Sequence, residues 1–263
     1  MVFYYGMILP VLASQKQYYN PGFKSCIRTY YSSECKGFES FLLKPAIRTT
    51  TNLFREDLDW YHLVRYIKMH FPREKKLNVY SLACSDGSEA YSYALMFDNE
   101  FMPNVSIYAS DIDKEVLRVA RSGKINLVGE DFNTMRFYNI NPEKYFTKLD
   151  RKLKIKNNCT TDECGYEISP NIRNMVHFKQ ADILTELKTI KDNGNSVINI
   201  RNVLPYLKPD YMEEILDTLP EVMKPGSLFV FGIYDGTLAN IRYRVMQKGF
   251  FAPTVEHNVL QRR

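Results

Sequence analysis

Residues 77–101, LNVYSLACSDGSEAYSYALMFDNEF, decide how this chain folds. Leu77–Ala83 is a short, mostly apolar run of the kind that forms a strand buried on both faces. A polar turn follows at Cys84-Ser85-Asp86-Gly87, and Ser88–Phe101 then reads as a helix. Working outward, Val105–Ala109 reads as a second strand and Lys114–Ser122 as a helix closed by Gly123. Val176–Gln180 and Val197–Ile200 are expected to be the third and fourth strands. Tyr211–Met223 is a helix stopped by Pro225-Gly226, and Leu228–Ile233 is a fifth strand. A helix near Leu238–Gln247 and a last strand over Val255–Leu260 complete the series. Upstream, Leu58, Tyr61, Leu63, Val64, Ile67 and Phe71 recur at spacings of three and four, which predicts a helix over Arg55–His70 ended by Pro72. Such alternation implies an α/β fold, a mostly parallel sheet with helices on both faces.

Residues 142–178 interrupt the rhythm. They are polar and charged, with Lys148, Asp150, Arg151, Lys152, Lys154 and Lys156, and they carry Asn157-Asn158 and Gly165. A structureless loop of that length is uncommon inside a compact domain. The stretch reads as a small inserted β-subdomain over about 147–175, with a strand pair near Leu153–Lys156 and Tyr166–Ser169. Residues 1–48 form a short N-terminal region in which Tyr18, Tyr19, Tyr30 and Tyr31 alternate with Lys, Ser and Gly. Phe38, Phe41, Leu42 and Leu43 suit a short helical segment there.

The 263 residues are 45% apolar, ample for one large domain. A net charge of +5 suits an acidic ligand and is too weak and dispersed to argue for nucleic acid. Cys26, Cys35, Cys84, Cys159 and Cys164 make an odd count without zinc spacing, so reduced thiols are expected. His62, His70, His177 and His257 are scattered, and no metal site is expected. The apolar run Met7–Ala13 has no basic segment before it, as a signal peptide would. No run approaches the roughly 20 apolar residues of a membrane span. These features together predict a cytoplasmic protein that does not insert into membranes.

Ligands of open α/β sheets bind at the carboxyl ends of the strands, where strand order reverses. The first strand ends in the Cys84–Glu89 turn, whose amides at a helix start suit a carboxylate or polar ligand. The same turn also reads as a plain capped helix start, with Asp86 or Ser88 as N-cap. The second strand ends in Ser110-Asp111-Ile112-Asp113. Asp113 fits an N-cap, and Asp111, 24 residues past Gly87, suits the two ribose hydroxyls of an adenosine. The fourth strand ends in Arg201-Asn202, with Tyr206 four residues on; this pair reads either as ligand-binding or as a solvated loop.

Seven of these segments, taken together, resemble the CheR-type chemotaxis receptor glutamate O-methyltransferases. They are TTTNLFRE (49–56), SLACSDGSEAYSYA (81–94), ASDIDKEVLRVARSG (109–123), Tyr145-Phe146, VHFKQADIL (176–184), RNVLPYL (201–207) and VMKPG (222–226). Their order and spacing agree across roughly residues 49–235. The resemblance implies a class I S-adenosylmethionine-dependent methyltransferase: a Rossmann-like, mostly parallel seven-stranded sheet over 49–263, carrying the small β-subdomain. It implies S-adenosyl-L-methionine as cofactor and S-adenosyl-L-homocysteine as product. By the same resemblance, Glu89 holds the methionyl part, Asp111 the ribose, and Asp182-Ile183 lie near the adenine. Arg201 and Asn202 contact the cofactor and line the active site, Arg55 sits by the transferred methyl, and Tyr206 lies next to it. Thr51, Cys84, Gly87 and Ile112 join the cofactor-binding set.

The chain departs from the family pattern in several places. Thr49 stands where the family has an Asn, Ser88 where it has a Glu, and Ala90 where it has a Pro. About 48 residues precede the motif, where the family carries a longer basic helical domain that faces the receptor. The β-subdomain of the family can add a receptor tail peptide as an extra strand; in this chain the Cys159–Cys164 turn reads as a hairpin tip or as part of such an edge. The resulting expectation is a methyltransferase acting on glutamate side chains of a chemoreceptor-like protein. Two alternatives are a different acceptor, a small-molecule carboxylate or a nucleic acid, and a non-catalytic cofactor-binding sensor or scaffold. Arg55 and Tyr206, both present, favour an enzyme.

Overall fold

The structure is a computed structural model that describes residues 51–149, 164–253 and 256–263. The N-terminal region 1–48 and the strand expected over Leu153–Lys156 fall outside those residues. In chain order the strands are β1 (Leu77–Leu82), β2 (Val105–Asp111), β3 (Lys124–Leu127), β4 (Phe146–Lys148), β5 (Cys164–Ile168), β6 (Val176–Gln180), β7 (Ser196–Ile200), β8 (Leu228–Phe231), β9 (Phe250–Phe251) and β10 (Val259–Arg262). The helices are α1 (Trp60–His70), α2 (Ser88–Asn99), α3 (Lys114–Ser122), α4 (Gly129–Phe137), α5 (Pro142–Tyr145), α6 (Pro170–Asn174), α7 (Ile183–Thr189), α8 (Pro209–Val222), α9 (Ile233–Leu238) and α10 (Ile241–Gln247), with a 3-10 turn at Leu204–Tyr206.

Seven strands form one sheet in the order β6-β2-β1-β7-β8-β10-β9. The pairs among β6, β2, β1, β7 and β8 are parallel, and β10 runs antiparallel to β8 and β9. The mostly parallel seven-stranded sheet expected of the class I methyltransferase fold is therefore present. Strand order reverses at β1, so the crevice opens at the carboxyl ends of β1 and β7.

Strand periodicity sorts the core into two layers. On one face Leu77, Val79, Ile107, Val197 and Val230 pack with Trp60, Leu63, Val64 and Ile67 of α1 and with the buried face of α2. On the other, Tyr80, Leu82, Ile198, Ile200, Phe229 and Phe231 pack with Leu187 of α7, Ile215, Leu216 and Leu219 of α8, and Ile241 and Val245 of α10. Because both faces are covered, β1 reads as an almost continuous apolar run.

Several boundaries differ from the sequence expectation. The first helix starts at Trp60, not Arg55, because the Asp59 side chain accepts from His62 N and caps it there. Residues 51–59 are a loop, which leaves Arg55 free of helical geometry. Gly87 occupies the N-cap of α2 instead of Asp86 or Ser88, and the Asp86 carboxylate accepts from Ser88 N and Ser88 Oγ. The helix expected near Leu238–Gln247 is α10, which starts after Asn240, whose backbone is left-handed; α9 lies outside the sequence expectation and begins at Ile233, where the fifth strand is expected to end. The last strand is Val259–Arg262 rather than Val255–Leu260. The small sheet is assembled as β3-β5-β4, both pairs antiparallel. It thus recruits Lys124–Leu127 from well before the segment the polar composition marks.

Gly87 lies at φ +83, and a Cβ there would stand 2.9 Å from Phe178 Cζ and 3.0 Å from Ala120 Cβ. Left-handed backbone and steric overlap both oppose a side chain. Gly87→Ala is expected to lower stability by about 2 kcal/mol, read by urea unfolding; an unchanged midpoint would contradict this account of the turn.

Candidate active site

The alternation that buries Leu77 and Val79 also sends Ser81 to the α1/α2 face, and in β7 it sends Val197 and Asn199 the same way, with Arg201 following. Ser81 and Asn199 are direct neighbours in the parallel register. Glu89, in the first turn of α2, meets them from above. Its carboxylate accepts from Ser81 Oγ at 2.7 Å, from Asn199 Nδ2, and from Arg201 Nη1 at 3.0 Å. Tyr93 OH, one turn along α2, donates to Asn199 Oδ1 at 3.0 Å. Burial pushes the Glu89 carboxyl up, and the Arg201 guanidinium opposes that shift.

Arg201 is 1% exposed in its side chain and lies between two carboxylates. One is Glu89; the other, Asp57, pairs with Nη2. The guanidinium also sits over the Trp60 ring, 5.4 Å from its centroid. Burial works against the Arg201 charge, and Glu89 and Asp57 more than restore it. The loop that delivers Asp57 is pinned on several sides. Phe54 N donates to Ser92 Oγ at 2.8 Å, Trp60 Nε1 to the Arg55 carbonyl at 3.2 Å, and Asn258 Nδ2 to the Asp57 carbonyl at 2.7 Å.

Asn202 has a left-handed backbone, a conformation asparagine adopts more readily than most residues. Its N–H donates to Asp235 at 2.5 Å and its Nδ2 to Asp57 at 2.6 Å. Asp235 also accepts from Leu204 N and Gly232 N, so one buried carboxylate holds both the loop after β7 and the start of α9. Burial pushes Asp235 up to about 7, against the pull of those amides.

At the ends of β1 and β2, Asp111 accepts from Ser85 N at 2.8 Å and Asp113 N at 2.9 Å. Ala83 and Ser85 both take left-handed backbone in that turn. Burial pushes the Asp111 carboxyl up to about 6, over the opposing amide hydrogen bonds. Cys84 is buried beside it as a free thiol, and its pKa is raised by burial and by Asp111.

The structure thus brings Arg55, Glu89, Arg201 and Asn202 into one cluster, and Cys84, Gly87, Asp111 and Ile112 to the adjoining strand ends. Arg55 Nε lies 3.8 Å from Asp57 Oδ1. Thr51 is half-buried at the start of the loop. Asp182 caps α7 through Thr185 N and accepts from Tyr211 OH, and Ile183 is buried behind it. Tyr206 is 56% exposed in the 3-10 turn.

Two site residues escaped the sequence reading. Asp235 carries a weak signal, an acid at the third position of α9, where its carboxylate accepts from Gly232 N at the N-cap. Asp57 carries none beyond its closeness to Arg55. His62 Nδ1 lies 2.9 Å from Asp59 Oδ2 and 3.6 Å from Glu256 Oε1, the one group of metal-ligand type among the described residues.

An adenosyl group carrying a methionyl tail fits these residues. Ser85 Oγ, Arg201 Nε and Asn202 Oδ1 are buried with no hydrogen-bond partner among the described residues. Buried polar atoms are rarely left so. Glu89 and Asp111 place carboxylates on either side of the turn between β1 and α2.

Arg201→Met is expected to cost about 3–5 kcal/mol in urea unfolding, because it leaves two carboxylates buried against each other. Adding Glu89→Gln and Asp57→Asn to that variant should recover part of the loss. A triple variant less stable than the single one would show that the charges are not the cause.

Residues 49–247 match the family model described as CheR methyltransferase, SAM binding domain. Chemotaxis protein methyltransferase 2 of Pseudomonas aeruginosa is 27% identical over 190 residues, covering 70% of this chain and 62% of that protein. The chemotaxis protein methyltransferase of Listeria monocytogenes is 26% identical over 158 residues, covering 60% of this chain and 53% of that protein. The chain therefore spans little more than half the length of these curated relatives. Among solved structures, a TehB-like SAM-dependent methyltransferase from Corynebacterium glutamicum aligns with a TM-score of 0.41 at 12% identity, over 77% of this chain and 86% of that one. With three quarters of its length matched to one family model, and in order, the chain belongs to the CheR methyltransferase family and carries its S-adenosylmethionine-binding domain.

Proposed function

We propose that this chain is an S-adenosylmethionine-dependent O-methyltransferase that esterifies glutamate side chains of a chemoreceptor-like protein in the cytoplasm. The observation that carries the reading is the pair of carboxylates, half-buried Glu89 and buried Asp111, flanking the Ala83–Gly87 turn at the switch point of the sheet. Glu89 has the charge to face the ammonium of a methionyl group, and Asp111 the acceptor atoms for two ribose hydroxyls. Thr51, Cys84, Gly87, Ile112, Asp182, Ile183, Arg201 and Asn202 complete the proposed cofactor-binding set. The names of the relatives support the choice of acceptor. Cys84, a free thiol, and the lack of any membrane-crossing helix among the described residues support the choice of compartment.

S-adenosylmethionine supplies a methyl group on a cationic sulfur. The protein has little acid–base work to do, because a glutamate carboxylate is already ionised at neutral pH. Arg55 orients it through a charge-assisted hydrogen bond. Phe54, in the same loop, packs on Trp60, whose Nε1 donates to the Arg55 carbonyl; both rings are buried and exclude water from the base of the loop. Tyr206, exposed in the 3-10 turn that follows Asn202, is proposed to pack against the incoming side chain.

Calorimetry with S-adenosylhomocysteine should show micromolar binding, weakened at least about tenfold, or 1.4 kcal/mol, by Asp111→Ala. Equal affinity in that variant would reject Asp111 as the ribose acid. Affinity should also depend on pH. The ionised Asp111 carboxylate accepts hydroxyl protons and the neutral acid does so poorly, so binding should be flat above about pH 7 and fall below about pH 6. Asp111→Asn should flatten that profile. For the acceptor, methyl-labelled cofactor incubated with a purified chemoreceptor signalling domain should place base-labile label on the receptor. Label that resists base would exclude a carboxyl ester.

A further inference from the structure

The Asp57 carboxylate is 9% exposed and surrounded by donors. Oδ1 faces Arg201 Nη2 and, at 3.8 Å, Arg55 Nε. Oδ2 accepts from Asn202 Nδ2 at 2.6 Å and from Ile233 N at 3.4 Å. Two guanidinium groups, a side-chain amide and a main-chain amide are what a site for an external carboxylate would present. Arg55, Arg201 and Asn202 are also the residues proposed above to line the methyl-transfer site.

A carboxylate that replaces Asp57 leaves the charge unchanged. One that enters while Asp57 is in place meets the same donors, Arg201, Asn202 and Ile233 N, and adds a negative charge beside Asp57 and Asp235. In a buried site such an excess is strongly disfavoured. The loop main chain is also held apart from the Asp57 side chain, by Asn258 at the Asp57 carbonyl and by Trp60 at that of Arg55. The side chain can turn out while the loop stays.

We propose that Asp57 is a built-in stand-in for the acceptor carboxylate, filling the acceptor slot in the resting protein and rotating out when a glutamate enters. This rests on the carboxylate-acceptor reading given above. In the transfer itself a carboxylate oxygen forms the new C–O bond and the methyl–sulfur bond breaks. Its electron pair stays on sulfur, so S-adenosylhomocysteine leaves neutral and no proton moves. Asp57 acts before that step, by competing for Arg201, Asn202 and Arg55.

The test uses the full chain with Asp57→Ala, and Asp57→Ser as a second variant that leaves a smaller gap. Each is melted in sodium acetate and in sodium chloride of equal ionic strength. The expected result is a saturable rise in melting temperature with acetate in the variants, and none beyond chloride in the parent protein. With methyl-labelled S-adenosylmethionine, the variants should then release volatile, base-labile methyl acetate, which the parent does not. Acetate acting no better than chloride, or both variants failing to fold even in acetate, would overturn the slot. Saturable stabilisation without methyl acetate would reduce Asp57 to a structural counter-ion and overturn its role as a stand-in. S-adenosylhomocysteine binding, measured in parallel, separates this outcome from failure of the methyltransferase reading: binding lost in the parent protein counts against the latter, while the acetate melts still report on the slot.

Discussion

The Arg201 guanidinium, held between Glu89 and Asp57, is the contact on which the rest of the structure depends. It joins three separate pieces: the end of β7, the start of α2 and the loop that precedes α1. Withdrawing three charges from water costs several kcal/mol each, and only close pairing with further hydrogen bonds repays that cost. Ser81, Asn199, Asn202 and the Trp60 ring supply those extra contacts. The cluster therefore adds little net stability for its size. What it does contribute is a tightly constrained crevice, because a displaced member leaves a buried charge uncompensated unless a group of the same charge takes its place.

That constraint explains the unusual backbone around the site. Asn202 must turn through left-handed φ so that its N–H reaches Asp235 while its side chain reaches Asp57. Ala83 and Ser85 adopt the same region to bring Ser85 N onto Asp111. Strain of this kind, about 1–2 kcal/mol per residue, persists only where the surroundings over-determine the conformation. Here the over-determination comes from carboxylates, each accepting two or more hydrogen bonds from different elements.

Legibility from sequence tracked the range of the forces involved. Helix ends set by their own neighbours were readable: Lys114–Ser122 is capped by Asp113 and closed by Gly123 as expected. The small sheet was only half readable. Tyr166–Ser169 overlaps β5, but its partner Lys124–Leu127 lies some 40 residues earlier, a four-residue run too short to show a strand period. Likewise, the apolar spacing runs back through Leu58 and points to a start at Arg55, while the cap supplied by Asp59 starts α1 five residues later.

By itself, the sequence determined the parallel core of the sheet and which strand ends form the crevice. Alternation with period two is a property of the backbone, so Leu77, Val79 and Ser81 must share a face, as must Val197 and Asn199. Continuous apolar runs must likewise be covered on both sides. The identity of the partners was decided only in three dimensions. Asp57 meets Arg201 across 144 positions and Asn258 across 201. Asp235 meets Asn202 across 33. An isolated polar side chain in a loop leaves no periodic trace, and its role is set by whichever charges the folded sheet delivers to it.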